Sequence, residues 1–255
     1  MAKPATNIET TTAARIARWI EQEKLTNVKA KRAVDILPSV DAVTTEWLTD
    51  VVCRNSPGAQ VSDFRIEAVS SGTHERHRLH VTYNEVGENA RLPKTLFTKT
   101  LPTVEMRLFV GITGHARTEG GFYMQLRPEL DLEIPLCYQS TVDRESLAVL
   151  HLLEDVVATK GAVFRNYETY VTREMAEDML DLLAVLHRAG RVIGHHQIGR
   201  VDRQRQLQLF KQFVVQEGAQ KEAAKEVTGQ RHTRASGHRQ LLFPHPTFPI
   251  VFFKG

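Results

Sequence analysis

The strongest constraint on this chain is the clustering of its strand-like segments. Five short runs with strand character fall between residues 60 and 156, while the flanks read as helix or as aperiodic tail. Phe64, Ile66 and Ala68 alternate with polar residues, Ser70-Ser71-Gly72 breaks the run, and Leu79, Val81 and Tyr83 resume the alternation. That period of two, interrupted once by turn formers, predicts a hairpin. LPKTLFTKT supplies a third strand, PLCYQ a fourth and SLAVLHLLEDV a fifth. Together they predict a five-stranded antiparallel sheet with a helix against it, an α+β arrangement.

The helices are marked by a different period. TTAARIARWIEQ spaces Ile16 and Ile20 at i, i+4, and VTTEWLTDVV repeats the pattern with Val43, Trp47, Leu48 and Val51. Thr44 or Thr45 is a candidate N-cap there, and the NSPG stretch at 55–58 is a stop. VEMRLFVGITGHARTEGGFYMQL reads as helix interrupted by Gly111, Gly114 and the Gly120-Gly121 pair. VTREMAEDMLDLLAVLHRAG is the clearest helix: Thr172 caps it, Glu174 favours its positive end, and Met175, Met179, Leu183 and Leu186 form its stripe until Gly190.

Charge divides the chain in two. Residues 1–187 carry 21 Lys+Arg against 26 Asp+Glu, whereas residues 188–255 carry 12 against 4. The basic part is rich in Gln, Arg and His, loses helical periodicity, and is expected to be poorly ordered. At 255 residues and 42% hydrophobic, the chain can bury a sizeable core. No run approaches the roughly 18 apolar residues that span a bilayer, and MAKPATNIETTTAAR has no apolar signal-peptide core, so the expectation is a cytosolic protein with no membrane partner. Cys53 and Cys137 lack metal-ligand spacing and are expected to be reduced thiols; His151 and His187, in apolar surroundings, are expected to be hydrogen-bonded core residues.

Lys99 lies inside the third strand pattern, between Phe97 and Leu101. A buried lone ammonium is costly, so such a lysine either reaches solvent or is paired. Glu119, twenty residues on in the helical segment, is the candidate partner. The order strand lysine, helix glutamate, then a strand running into a short linker and a helix is that of a protein-kinase-like N-lobe.

From about Thr45 to His187 the chain resembles the phosphotransferase family of aminoglycoside phosphotransferases, in its ecdysteroid-kinase-like and choline-kinase-like branch of small-molecule kinases. The carrying stretches are EWLTDVV, FTKTLP around Lys99, EGGFYMQLRPEL from Glu119, IPLCYQS, LAVLHLLEDV and MLDLLAVLHRAG. The resemblance implies flanking helices over 1–59, an N-lobe over 60–156, the start of a helical C-lobe over 157–190, and a basic tail over 191–255. It implies that Lys99 contacts the phosphates of ATP with Glu119 as its ion-pair partner. It further implies that Leu153, Glu154 and Asp155 form a hinge whose backbone reads the adenine edge. The loop Ser70-Ser71-Gly72-Thr73 would cover the phosphates, its N–H groups acting as an anion nest.

Phosphoryl transfer needs Mg²⁺ on the phosphates and an aspartate for the acceptor hydroxyl. In the resembled family these follow the helix that ends near His187, as an His-Gly-Asp-type loop, a nearby Asn and a metal-binding Asp. Residues 188–255 contain one aspartate, Asp202, and no asparagine, and His195-His196 is followed by Gln-Ile-Gly. No catalytic residue and no metal ligand is assigned. The expectation is a family member whose transfer of phosphate to a small-molecule hydroxyl is lost or severely impaired, its last 68 residues coming from an altered reading frame or a rearrangement. Two alternatives stay open: a non-catalytic nucleotide-binding or scaffold protein, and a nucleic-acid binder using Arg203, Arg205 and Lys211 near Phe210 and Phe213. The last is the weaker, because the tail holds no recognised binding motif.

Overall fold

The computed structural model describes residues 6–164, 170–193 and 251–252. Helix α1 (Thr6–Thr26) precedes helix α2 (Thr45–Val52), strands β1 (Val61–Ser71) and β2 (Glu75–Tyr83), the short helix α3 (Glu85–Asn89) and strand β3 (Thr95–Thr100). A helical segment follows, beginning as α4 (Val104–Met106) and resuming as α5 (His115–Gly121). Strands β4 (Cys137–Val142) and β5 (Val149–Glu154), helix α6 (Val156–Lys160), strand β6 (Val163–Phe164), helix α7 (Arg173–Ile193) and strand β7 (Val251–Phe252) complete the order. Strands β1 to β5 form one antiparallel sheet in the order β1-β2-β3-β5-β4, the α+β arrangement that the alternation implies. Strands β6 and β7 pair separately. The rest of the basic tail, residues 194–250 and 253–255, and the side chain of His187 lie outside the described residues.

One face of the sheet builds the core. Leu79, Leu96, Leu150 and Leu152 are fully buried there, with Trp47, Leu48 and Val51 of α2 packed into the same cluster. Helix α2 starts because the Thr44 Oγ1 accepts the Trp47 N–H at 3.1 Å, satisfying one of the free donors of the first turn. Burying side chains of this size stabilises by about 1.5–3 kcal/mol each, so this layer, not local propensity, holds α2 on the sheet.

A second, smaller cluster of Leu101, Val110, Ala116 and Val149 lies under the α4–α5 segment. That segment is not continuous α-helix. Residues 107–112 and 122–126 widen into π turns, and Gly114, at φ +77°, breaks the helix so that α5 restarts at His115. Gly120, by contrast, interrupts nothing: α5 runs through it. Helix α7 begins where the sequence indicates, with Thr172 Oγ1 accepting the Met175 N–H at 3.2 Å, but Gly190 does not end it. Among the described residues no helix is long and apolar enough to cross a membrane. Both cysteines are free thiols.

Helix α1 is tied down through Arg107. Its guanidinium, 1% exposed, uses all five N–H donors. Two go to the Glu23 carboxylate at 2.9 and 2.6 Å, and the others to the carbonyls of Leu101, Ser146 and Pro38 at 2.9, 3.1 and 3.2 Å.

A candidate ligand site around Lys99 and Glu119

The sheet face opposite the core is polar by register. Ser70, Arg76, Lys99, His151 and Ser140 stand side by side across all five strands. In β3 the alternation sends Leu96, Thr98 and Thr100 to the core face and leaves Phe97 and Lys99 on this one. Lys99 therefore cannot join the apolar layer. Its side chain is only 12% exposed, and its Nζ meets Glu119 Oε1 at 2.6 Å. Strand lysine and helix glutamate, twenty residues apart, are brought together as an ion pair.

Gly120 permits that meeting. A Cβ there would fall 2.8 Å from Ser140 Oγ and 3.2 Å from Val142 Cγ2, so any larger residue would push α5 off β4. Two imidazoles complete the surroundings of Glu119. His74 Nε2 lies 3.9 Å and His151 Nε2 3.8 Å from Glu119 Oε2, beyond hydrogen-bonding distance. His151 is fully buried and held through Nδ1 by Ser140 Oγ at 2.8 Å, the hydrogen-bonded core histidine its apolar neighbours suggest.

Burial pushes both His74 and His151 down to about 4, against the opposing pull of Glu119, so both are neutral at neutral pH. Their contacts with Glu119 are then dipolar and not ionic. Burial also works to raise Glu119, but Lys99 beside it outweighs that and holds the carboxyl below its ordinary value. Arg76 is lowered by burial, with Glu119 partly offsetting the shift. With two cations, one carboxylate and two neutral rings, the cluster carries about one net positive charge. Among the described residues, its Arg76 Nε, His74 Nε2 and His151 Nε2 are buried without a hydrogen-bond partner. Unmatched buried nitrogens beside excess positive charge fit an anion. Among the described residues, no group of three or more His, Cys, Asp or Glu is placed to hold a metal ion.

The remaining sequence candidates fall nearby but with other work. Gly72 and Thr73 form the tip between β1 and β2; the Gly72 N–H donates to the His74 carbonyl at 3.1 Å, and Thr73 Oγ1 lies 3.4 Å from His74 Nδ1. The tip thus presents His74 to the site through its side chain, with the Gly72 N–H engaged in closing the hairpin. Leu153 pairs with Phe97 in register, and the ring of Phe164 stacks over Phe97 at 6.1 Å. The Glu154 N–H donates to the Leu136 carbonyl at 2.8 Å, and its carboxylate accepts from the Leu136 N–H and Thr159 Oγ1. The carbonyl of Asp155 accepts from Ala158 and Thr159 at the start of α6, while its buried side chain accepts from Arg78 Nε at 2.6 Å. Arg78 also reaches Glu67 at 3.3 Å, and Glu67 meets His80 at 2.6 Å.

Sequence reasoning did not single out His74, Arg76 or Arg78. A signal was present: in ERHRLHVTY, Arg76, Arg78 and His80 alternate with His77, Leu79 and Val81, so three successive positions on one face of β2 are basic residue types. Compared with known proteins, the chain matches no protein-family model, no curated protein and no solved structure.

Proposed function

We propose that this chain is a phosphotransferase-family protein of the aminoglycoside- and ecdysteroid-kinase-like type, with a kinase-like N-lobe that binds the phosphates of ATP and with little or no phosphoryl transfer. The observation that carries the reading is the 2.6 Å pair between Lys99 on β3 and Glu119 on α5, set in a buried cluster whose Arg76 Nε still has a hydrogen to donate. Lys99 and Arg76 would hold phosphate oxygens, Glu119 would keep Lys99 extended along the sheet face, and His74 would cover the site from the hairpin tip. ATP, when bound, supplies a transferable phosphoryl group. The residues that would use it, a catalytic aspartate and the Mg²⁺ ligands, have no counterpart in the sequence after His187. The phosphate end of the face fits the ligand better than the base end, where Phe164 covers Phe97.

Isothermal titration with ATP, with and without Mg²⁺, tests the reading against the variants Lys99→Met and Arg76→Gln. The expected result is saturable ATP binding that changes little with Mg²⁺, at least tenfold weaker in either variant, with no phosphate transferred to a panel of small-molecule alcohols. No ATP binding by the unaltered chain, or binding indifferent to both substitutions, overturns it. Robust transfer would overturn the loss of activity and leave the binding site standing.

A further inference from the structure

A cavity of about 290 Å³ opens between α5 and the turn that joins β4 to β5. Its apolar wall is made by Val142 and Leu147, with the buried Ala116 and Val149 behind them, and its polar groups are Arg117, Arg144 and Asp143. The volume is near the lower end of ligand cavities, which run from roughly 300 to 1,000 Å³. The turn side is rigidly built. Leu147 is held at φ +57°, a region a branched side chain rarely enters, and packs so closely on Gly111 that a Cβ there would come within 2.9 Å of it.

The polar groups differ in what they can still accept. Asp143 is already engaged: Ser146 donates to it through N–H at 2.9 Å and Oγ at 2.6 Å. Burial works to raise Asp143, but these hydrogen bonds hold it below its ordinary value and keep it charged. The guanidinium groups of Arg117 and Arg144 are both exposed and make no hydrogen bond or ion pair with any described residue. Two forks, one on the helix and one on the turn, that no described residue engages and that line the same cavity as an apolar wall, suit a ligand with a compact apolar body and a single carboxylate. The fixed negative charge of Asp143 disfavours a phosphate dianion in the same place.

We infer that this cavity binds a small amphipathic monocarboxylate, whose acid group bridges Arg117 and Arg144 and thereby clamps α5 to the β4–β5 turn. Glu119 lies two residues beyond Arg117 on that helix, so the clamp acts on the element that positions the Lys99 partner. The inference does not depend on ATP binding.

Calorimetric titration with benzoate and hexanoate, and with benzyl alcohol as the uncharged control, tests it on the full chain. Saturable binding of the acids is expected, at least tenfold tighter than the alcohol, and weakened about tenfold by Arg117→Gln or Arg144→Gln. Both arginines are exposed, and an unchanged melting temperature establishes that each variant is folded. Hydrogen exchange of amides 115–121 should slow when benzoate is bound. Absence of saturable binding, equal affinity for the alcohol, indifference to both substitutions, or unchanged exchange in α5 would each overturn the inference.

Discussion

Two buried ion pairs in this molecule are built on opposite principles. At Arg107 all five donors are matched, two by Glu23 and three by carbonyls from separate segments. At Lys99 the pair with Glu119 is as short, yet three neighbouring buried nitrogens have no hydrogen-bond partner among the described residues. A saturated network has nothing left to bind with, so its work is to fix α1, the α4 segment and the β4–β5 turn against one another. An unsaturated one keeps desolvated nitrogens in place at a cost to the fold, and on the proposed reading that cost would be recovered on binding a ligand. The difference separates a structural charge from a candidate functional one without appeal to conservation.

The sharpest way to break the comparison is to remove the saturated cation. Arg107→Met strands the Glu23 carboxylate and three carbonyls, and urea denaturation should show a loss of about 3–5 kcal/mol. Lys99→Met should cost clearly less, because it strands one carboxylate in place of a carboxylate and three carbonyls, and Glu119 keeps Arg76 nearby. Equal losses would erase the distinction.

The next effect is the pH dependence that the unsaturated cluster contributes between its imidazoles' ordinary and folded values. His74 and His151 sit at about 4 in the fold against an ordinary 6.5, so between those values the unfolded chain binds protons that the folded chain does not. Stability is therefore complete above pH 6.5 and falls as pH drops toward 4, by up to about 3 kcal/mol for each ring. Glu119, held low by Lys99, acts in the same direction at lower pH. Denaturation midpoints measured from pH 7.5 to 4 should show this slope. His151→Gln should flatten it, and a slope unchanged in that variant would place its source elsewhere.

The smallest effect probes how α5 reaches the sheet. Gly120→Ala should lose about 1–3 kcal/mol through overpacking on Ser140 and Val142 and weaken any ligand of Lys99. Adding Ser140→Ala removes the 2.8 Å encounter and should restore part of that loss, a coupling that a double-mutant cycle reads directly. Additive losses would mean that α5 does not rest on Ser140.

Much of this architecture is local and hence readable in the chain. Period-two alternation marks the first two strands of the main sheet and short apolar runs mark the other three, the Thr44 and Thr172 hydroxyls mark two helix starts, and a lysine inside an apolar strand demands either solvent or a partner, which narrows its neighbours to a carboxylate. Other features were hidden because they depend on what approaches from far along the chain. Gly120 reads as a helix breaker, since propensity knows nothing of Ser140 twenty residues away; its actual role is clearance. Gly190 reads as a stop, yet α7 continues to Ile193.

His74 and Arg76 look like ordinary hairpin residues until register sets Arg76 beside Lys99 and the tip folds His74 toward Glu119. Arg107 looks like a solvated helix residue until five acceptors from four segments converge on it. By itself the sequence determined the five strands of the main sheet, the helices α1, α2 and α7, and that Lys99 needed a counter-charge, because those follow from side-chain periodicity and desolvation within a few residues. Only the tertiary structure decided which buried charges are satisfied and which keep free donors, because hydrogen-bond satisfaction is a property of groups brought together from distant parts of the chain.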